Sequence, residues 1–394
     1  GFSALAANTS GYSNTAVGAS ALTANTTASD NTAVGVNSLL ANTTGASNTA
    51  VGKNALFSNT TASNNTAIGD DALLSNTTGH ANIAVGNFTL DANTTGTYNT
   101  AVGYTALTGN TTGDNNVGIG RQALQSNTSG FANSAVGNFS CLDNIDGHYL
   151  TAIGYQALES NTTGDSNTAV GRRALYSNTT ASNNTAVGMQ ALDQNTTGVS
   201  NTAVGTNALD ANTTGLSNIA VGNDALGANT TGQSNVAIGP PALFSNTTGQ
   251  QNVAVGHGAM HNNTDGDNNT AVGYTALDIN TTGANNTAIG HSSLGSATTA
   301  SNNTAVGYNS LLSATTGHSN VSIGYQSSKL NETGFSNTVI GHDALGNGGT
   351  NVGGIIAIGY EACKNTTNGG NTAVGYRVLT ANTDGYWNTA FGSS

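Results

Sequence analysis

Asparagine followed two residues later by serine or threonine recurs along this chain at a fixed spacing. This triplet is the acceptor for N-linked glycans, in which the sugar is joined to the side-chain nitrogen of asparagine. The acceptors on one line of the repeat are Asn8, Asn25, Asn42, Asn59, Asn76, Asn93, Asn110, Asn127, Asn161, Asn178, Asn195, Asn212, Asn229, Asn246, Asn280, Asn331 and Asn365. A chain that passes through a glycosylating secretory route would carry covalent glycans along one edge. Further acceptors lie off this line, among them Asn64, Asn87, Asn138, Asn183 and Asn302.

The same residues also make good turns, because asparagine bonds its own backbone and glycine accepts positive φ in Asn-Thr-Thr-Gly. Three copies keep Asn144, Asn263 and Asn382 but have aspartate where the acceptor needs threonine. Two others keep the threonines and replace asparagine with Ala297 and Ala314. The two halves of the acceptor therefore vary independently. This favours turn chemistry, and both interpretations stay open.

Other reactive side chains form no pattern that catalysis or metal binding requires. The seven histidines look scattered, and none recurs with cysteine or a carboxylate at a ligand spacing. Asp70 and Asp71 lack a calcium-loop context, and the abundant serines lack a nucleophile motif with a base. The sequence predicts neither a catalytic nor a cofactor-binding nor a metal site, and it predicts that the protein is not an enzyme.

Tyrosine recurs directly after a glycine, at Tyr104, Tyr155, Tyr274, Tyr308, Tyr325, Tyr360 and Tyr376. Exposed aromatic rings in a row can stack on carbohydrate or on a neighbouring fibre. The simpler interpretation, which we favour, is that they cover an adjoining strand.

The elements that position these residues follow from a short repeat. With one exception, glycine recurs at every seventeenth position from Gly18 to Gly392. Aligning the copies from Asn14 gives N-T-A-V-G-x-x-A-L-x-x-N-T-T-G-x-S, whose residues we number as positions 1 to 17. About 23 copies fill residues 1–394, which predicts a single repeat array. A unit this short cannot bury a core alone, so each copy must stack on its neighbours.

Short strands and tight turns fit this unit, whereas a helix does not, since its apolar positions do not follow a 3.6-residue period. The sequence predicts an all-β fold, a parallel β-solenoid or β-roll of about 23 rungs with 17 residues per rung. Positions 2 and 4 are β-branched and are expected to point inward. Alanine at position 3 then lies on the other face, where its small size suggests close approach by another sheet or subunit. Leucine at position 9 is the largest apolar side chain of each rung, and asparagine at position 1 is expected to form a hydrogen-bonded ladder.

A few copies depart from the consensus. Ser328 replaces the leucine of position 9, and Leu330 is expected to compensate. Cys141 and Cys363 fill the same position and are predicted to be buried hydrophobes too far apart for a disulfide. Within 341–375 the spacing of the glycines lengthens by one residue and then shortens by one, which predicts a bulge or an irregular turn there.

Charge and hydropathy exclude two classes of partner. The chain has 7 Lys and Arg against 19 Asp and Glu, a net charge of −12, and its cations form no stripe, so nucleic acid is an unexpected partner. No apolar run approaches the roughly 20 residues of a membrane span, so membrane insertion is not expected. The chain begins and ends within a repeat, from which we expect a segment of a longer fibre or a subunit that joins end to end.

The strings Asn235-Val-Ala-Ile-Gly239, Asn218-Ile-Ala-Val-Gly222 and Ile355-Ile-Ala-Ile-Gly359 resemble the head repeats of trimeric autotransporter adhesins and related repeats of phage and viral tail fibres. The resemblance covers essentially the whole chain. It implies a parallel β-roll, left-handed in that family, that assembles as a homotrimer at a cell or virion surface. One difference is that those heads commonly use a shorter unit, to which Asn-Thr-Thr-Gly is an addition here.

Together these features predict a structural or adhesive extracellular fibre, with self-association end to end or as a homotrimer and with carbohydrate or another cell-surface ligand as a partner. Two alternatives stay open. One is an ice-binding solenoid, for which the turn threonines are poorly suited because consecutive residues diverge. The other is the shaft of a viral or phage receptor-binding tail fibre.

Overall fold

The structure, a computed structural model, describes residues 1–393. The described residues contain strands and turns and no α-helix. The chain was predicted as one array, and it divides into two compact units, Gly1–Val199 and Ser200–Ser394. The strands of the first unit are β1 (Thr15–Val17), β2 (Thr32–Val34), β3 (Thr49–Val51), β4 (Thr66–Ile68), β5 (Ile83–Val85), β6 (Thr100–Val102), β7 (Val117–Ile119), β8 (Ser134–Val136), β9 (Thr151–Ile153), β10 (Thr168–Val170) and β11 (Thr185–Val187). Those of the second are β12 (Thr202–Val204), β13 (Ile219–Val221), β14 (Val236–Ile238), β15 (Val253–Val255), β16 (Thr270–Val272), β17 (Thr287–Ile289), β18 (Thr304–Val306), β19 (Val321–Ile323), β20 (Thr338–Ile340), β21 (Ile356–Ile358), β22 (Thr372–Val374) and β23 (Thr389–Phe391).

Within each unit every strand pairs in parallel with the strand of the next repeat. In β1 and β2, for example, Thr15 lies opposite Thr32 and Val17 opposite Val34, a register of one repeat. The bonding continues outside the short strands, since Leu22 N–H donates to the carbonyl of Ser38 at 3.0 Å. The predicted all-β parallel β-solenoid, with one repeat per rung, is confirmed.

The expected direction of the strand side chains is wrong. Positions 2 and 4, such as Thr32 and Val34, are partly exposed, whereas Ala33 between them is buried. The alanine face is closed by the chain's own leucines and not by another sheet or subunit. At Gly118, which replaces this alanine, an added β-carbon would lie 3.2 Å from Cδ1 of Leu107.

The leucine of position 9 explains why the alanine face is the inner one. This leucine is buried in rung after rung, and it adopts positive φ, with values of 52° at Leu22 and 50° at Leu39. Left-handed backbone costs a leucine about 1–2 kcal/mol, and burial of its side chain returns about 1.5–3 kcal/mol. The inward leucine fills most of the narrow rung, so the facing strand carries alanine in all but three rungs, where Gly118, Ser322 and Val339 replace it.

Glycine at position 5 is required by its neighbours in the stack. At Gly256 φ is +134°, and an added β-carbon would lie 2.5 Å from the carbonyl oxygen of Gly273 in the next rung. Real β-carbons do not approach an oxygen so closely. Glycine therefore recurs in every rung because the backbones of successive rungs approach closely at position 5.

Asparagine at position 1 forms the predicted ladder. The N–H of Asn48 donates to Oδ1 of Asn31 at 2.9 Å, and Nδ2 of Asn31 donates to the carbonyl of Gly45 at 2.9 Å. Both asparagines are buried. The side-chain amide thus satisfies backbone groups that would otherwise be buried without partners.

The irregular segment lies where the spacing predicts it. Thr338 pairs with Ile356, one residue beyond the regular register, and Ile356 pairs with Thr372, one residue short of it. The regular register then returns in the pairing of β22 with β23. The inserted residue is absorbed in the turn after β20, and Val352 there supplies the carbonyl that accepts from Nδ2 of Asn337 at 2.7 Å. The bulge prediction is confirmed, and the strands keep their parallel pairing through it.

The expected compensation at Ser328 is wrong. Ser328 is buried, its hydroxyl has no hydrogen-bond partner, and Leu330 is exposed. Position 9 of this rung therefore lacks its large apolar side chain. The cysteines behave as predicted, since Cys141 and Cys363 are buried and free.

Candidate functional site

The position-12 asparagines, the predicted glycan acceptors, form a second ladder inside each unit. Nδ2 of Asn42 donates to Oδ1 of Asn25 at 3.1 Å and to the carbonyl of Gly45 at 2.9 Å. The same pair of bonds recurs at Asn59 and Asn76. Each amide thus links its rung to the previous one and closes its own Asn-Thr-Thr-Gly turn. The turn chemistry expected from the sequence is present.

Burial separates the acceptors into two groups. Fifteen of the 17 in line are buried, and Asn8 and Asn365 are partly exposed. In the buried acceptors Nδ2, the atom to which a glycan is joined, donates hydrogen bonds within the fold. Among the acceptors off the line, Asn64, Asn87, Asn138, Asn183 and Asn302 are exposed, whereas Asn320 is buried. The exposed acceptors present their side chains to solvent in the folded chain.

The ladder of position 12 is interrupted where alanine replaces asparagine. Oδ1 of Asn280 is buried without a hydrogen-bond partner, because Ala297 in the next rung has no amide to donate to it. A missing amide therefore leaves a polar atom unsatisfied in the rung before it.

Position 6 carries a column of rings in the second unit that the sequence reasoning missed. Eight successive rungs present His257, Tyr274, His291, Tyr308, Tyr325, His342, Tyr360 and Tyr376. Neighbouring ring centroids lie 4.8 to 5.3 Å apart, with interplanar angles of 11° to 31°. The recurring tyrosines were noted in the sequence, but His257, His291 and His342 at the same position were treated as scattered. Treating histidine and tyrosine as equivalent aromatic residues when the repeats are aligned would have revealed the column.

The geometry of this column limits what it can bind. Each of the six inner rings is covered on its two faces by the rings above and below, so its edge is what solvent meets. Stacking of these tyrosines on carbohydrate, the less favoured of the two interpretations drawn from the sequence, needs open ring faces. The column presents to solvent the edges of its rings, which carry tyrosine hydroxyls and imidazole nitrogens.

Charged side chains gather beside the column at Glu361. Its carboxylate accepts from Nζ of Lys364 at 2.5 Å and from Nε of Arg377 at 2.6 Å, and Lys364 also lies 3.4 Å from Asp343. Two hydrogen bonds lower the pKa of Glu361, the larger effect coming from Lys364 and the smaller from Arg377. This cluster ties the irregular rung to its neighbours.

Other reactive groups are held in unreactive surroundings. Burial raises the pKa of the Cys141 thiol to about 12 and also raises the pKa of Cys363.

Among residues 1–393 no three His, Cys, Asp or Glu side chains come together as a metal-ligand group. Within the same residues no helix has the length and apolar character needed to span a bilayer.

No protein-family model and no curated protein matches this sequence.

Proposed function

We propose that this chain is a structural and adhesive segment of an extracellular fibre at a cell or virion surface. The observation that carries the proposal is the regularity of the rungs in each unit. Strand pairing, the two asparagine ladders and the position-5 glycines repeat with the same register. Such a stack resists local opening because each rung is bonded on both sides, which suits a load-bearing or spacing role.

The outer face of each sheet supports self-association. Position 4 presents a row of valine and isoleucine, and Ile153 in this row remains 44% exposed. A continuous apolar row on a flat sheet is what an interface between copies of a chain would cover. The homotrimer implied by the adhesin resemblance would bury this face.

Light scattering coupled to size exclusion tests self-association. We expect the chain to elute as an oligomer and Ile153→Asp to dissociate it or to weaken it by at least about tenfold, since a buried unpaired carboxylate is costly. The matched control is Met189→Asp at position 6, where the methionine is 42% exposed. A wild-type monomer at high concentration, or equal effects of the two variants, would reject assembly through this face.

One observation favours ice binding as a second candidate. Position 2 places Thr15, Thr32, Thr49 and Thr66 in an outward row on consecutive strands. Threonines repeated on a flat solenoid face can order water. The threonines of the turns are unsuited to this because consecutive ones point in different directions. A thermal hysteresis assay tests this candidate, with Thr49→Lys expected to abolish the activity and Thr60→Lys, in the turn, to leave it. Absence of hysteresis in the wild-type protein rejects it.

A further inference from the structure

The edge of the second unit formed by positions 16 and 17 is interrupted by four glycines. Four successive rungs carry Phe335-Ser336, Gly353-Gly354, Gly369-Gly370 and Tyr386-Trp387 at this edge. Two rungs without side chains between two rungs with aromatic ones leave a cleft of about 440 Å³. This volume lies in the range of about 300–1,000 Å³ that small-molecule sites have.

Aromatic rings form the two ends of the cleft and lie over its glycine floor. A β-carbon added to Gly353 would lie 3.4 Å from Cε1 and Cζ of Phe335, and one added to Gly370 would lie 2.8 Å from Cδ2 of Trp387. Both rings are open to solvent, with Phe335 49% and Trp387 79% exposed. Phe335 stacks on His318 of the preceding rung, with 5.5 Å between the ring centroids, and neither Phe335 nor Trp387 has a stacked neighbour inside the cleft.

The floor of the cleft offers unpaired hydrogen-bond donors. Elsewhere the N–H of position 16 can donate to a side chain of the next rung, as His148 N–H does to Oδ1 of Asp165 at 2.7 Å and Gln250 N–H to Oδ1 of Asp267 at 2.8 Å. Gly353 faces Gly369, which has no side chain to accept. The N–H groups of Gly353 and Gly369 donate to none of the described residues. The N–H of Gly353 faces a rung without side chains, and the N–H of Gly369 faces the rung of Tyr386.

We propose that this cleft binds one pyranose ring of a neutral carbohydrate. The apolar C–H face of a sugar packs against an aromatic ring, and its hydroxyl and ring oxygens accept hydrogen bonds from backbone N–H groups. The lining residues, Phe335, Gly353, Gly354, Asn368, Gly369, Gly370, Tyr386 and Trp387, include no charged side chain. A neutral sugar therefore matches the site better than an anionic one. The inference rests on the adhesive part of the proposed function, to which it adds a ligand class.

The protein carries its own reporter for this test, because Trp387 is its single tryptophan. Emission excited at the red edge of absorption is followed while chitotriose, maltotriose or lactose is added to the full chain. We expect a saturable change with at least one of these sugars. No change with any of them at tens of millimolar, or a change with phenol and indole only, would overturn the carbohydrate assignment.

A matched pair of variants locates the binding. Phe335→Ala removes one end of the cleft but leaves the reporter, and we expect it to weaken binding by at least about tenfold. Phe131→Ala is the control, since Phe131 occupies the same position 16 in the first unit and stacks on His148. Equal affinity of Phe335→Ala and wild type would overturn the assignment to this cleft. Self-association measured on the same samples separates this outcome from failure of the fibre proposal.

Discussion

Single residues decide how closely successive rungs approach. The β-carbon that alanine would add at Gly256 points at the carbonyl of Gly273, whereas Gly258, two residues later, has open space around it and only Thr275 nearby, at 3.5 Å. Asparagine occupies the position of Gly258 in other rungs with similar φ, 60° at Asn37. A φ near 60° is thus tolerated by asparagine in this fold, whereas Gly256 requires glycine both for its φ of +134° and for its contact with the next rung.

Gly256→Ala is therefore expected to destabilise the second unit by about 3 kcal/mol or more, since strain and overlap add. Urea unfolding followed by Trp387 emission measures this change. Gly258→Asn, the control in the same rung, should alter the free energy of unfolding by less than about 1 kcal/mol. Similar losses in the two variants would show that neither the φ of Gly256 nor its close approach to Gly273 sets the requirement for glycine.

The gap in the position-12 ladder spans two rungs, at Ala297 and Ala314, so two substitutions are needed to repair it. Ala297→Asn places an amide where Oδ1 of Asn280 lacks a donor, and Ala314→Asn supplies the donor for the new Oδ1 at position 297. We expect the double variant to stabilise the second unit by about 1–2 kcal/mol, and Ala297→Asn alone to gain little because it moves the unpaired oxygen by one rung. The measurement is again the urea midpoint. The control, with leucine at both positions, supplies no amide and should not stabilise. A gain with leucine as large as with asparagine would mean that packing, and not the hydrogen bond, was missing.

At the scale of the element, the fold was predictable but the direction of its strands was not. Period, parallel register and the bulge within 341–375 follow from spacing alone. Alternation of β-branched and small residues normally marks the β-branched face as buried. Here the leucine at position 9 points inward and has positive φ, so the alanine face of the strand is buried instead. The Ala-Leu sequence does not indicate that leucine adopts this φ. The asparagines of position 12 show the same limit, since an acceptor triplet carries no information on burial.

The rung of Ser328 is the element in which the apolar column is weakest. Ser310, Ser322 and Ser327 beside it form a buried hydroxyl cluster, with 2.7 Å between Oγ of Ser322 and Oγ of Ser327.

Position 3 of the next rung holds the buried Val339 in place of alanine, 11 residues after Ser328, the separation at which Gly118 faces Leu107. Ser328→Leu, made together with Val339→Ala so that the leucine has room, restores the column between Leu311 and its counterpart in the next rung. It should stabilise the second unit by about 1–2 kcal/mol, because it adds buried apolar surface and removes an unpartnered hydroxyl.

The reverse substitution provides the control for this prediction. Leu311→Ser should destabilise the same unit by about 3 kcal/mol or more, since it opens a cavity and buries a second hydroxyl. Both variants are compared with wild type by urea unfolding. A loss of stability in Ser328→Leu would show that the surrounding rungs have closed around the serine.

The Glu361 cluster makes the irregular rung sensitive to acid. Its pKa is lowered in the folded protein by the bonds from Lys364 and Arg377, so the folded state favours the ionised carboxylate. This contribution to stability is present above the unfolded carboxyl pKa of about 4.3 and is lost as pH falls through the lower folded value. Stability of wild type should therefore fall below about pH 4.3 more steeply than that of Glu361→Gln. Parallel curves for the two proteins would contradict the ion cluster. Burial raises the pKa of Asp278. Its contribution to the pH dependence of stability has the opposite sign, and it is the same in both proteins.

For the molecule as a whole, the burial of each acceptor asparagine predicts whether it can carry a glycan in the folded protein. Buried amides of position 12 hold the rungs together, and a sugar on their Nδ2 would remove a ladder bond and force a bulky polar group into the core. Expression in a glycosylating eukaryotic host is expected to give glycans on exposed acceptors such as Asn64 and Asn183, and none on the buried line. Glycopeptide mapping identifies the sites, and Asn64→Gln and Asn183→Gln should each remove one glycan from the intact mass. Secreted protein with sugars along the line of Asn25, Asn42 and Asn59 and with an intact β spectrum would show instead that this edge opens to solvent.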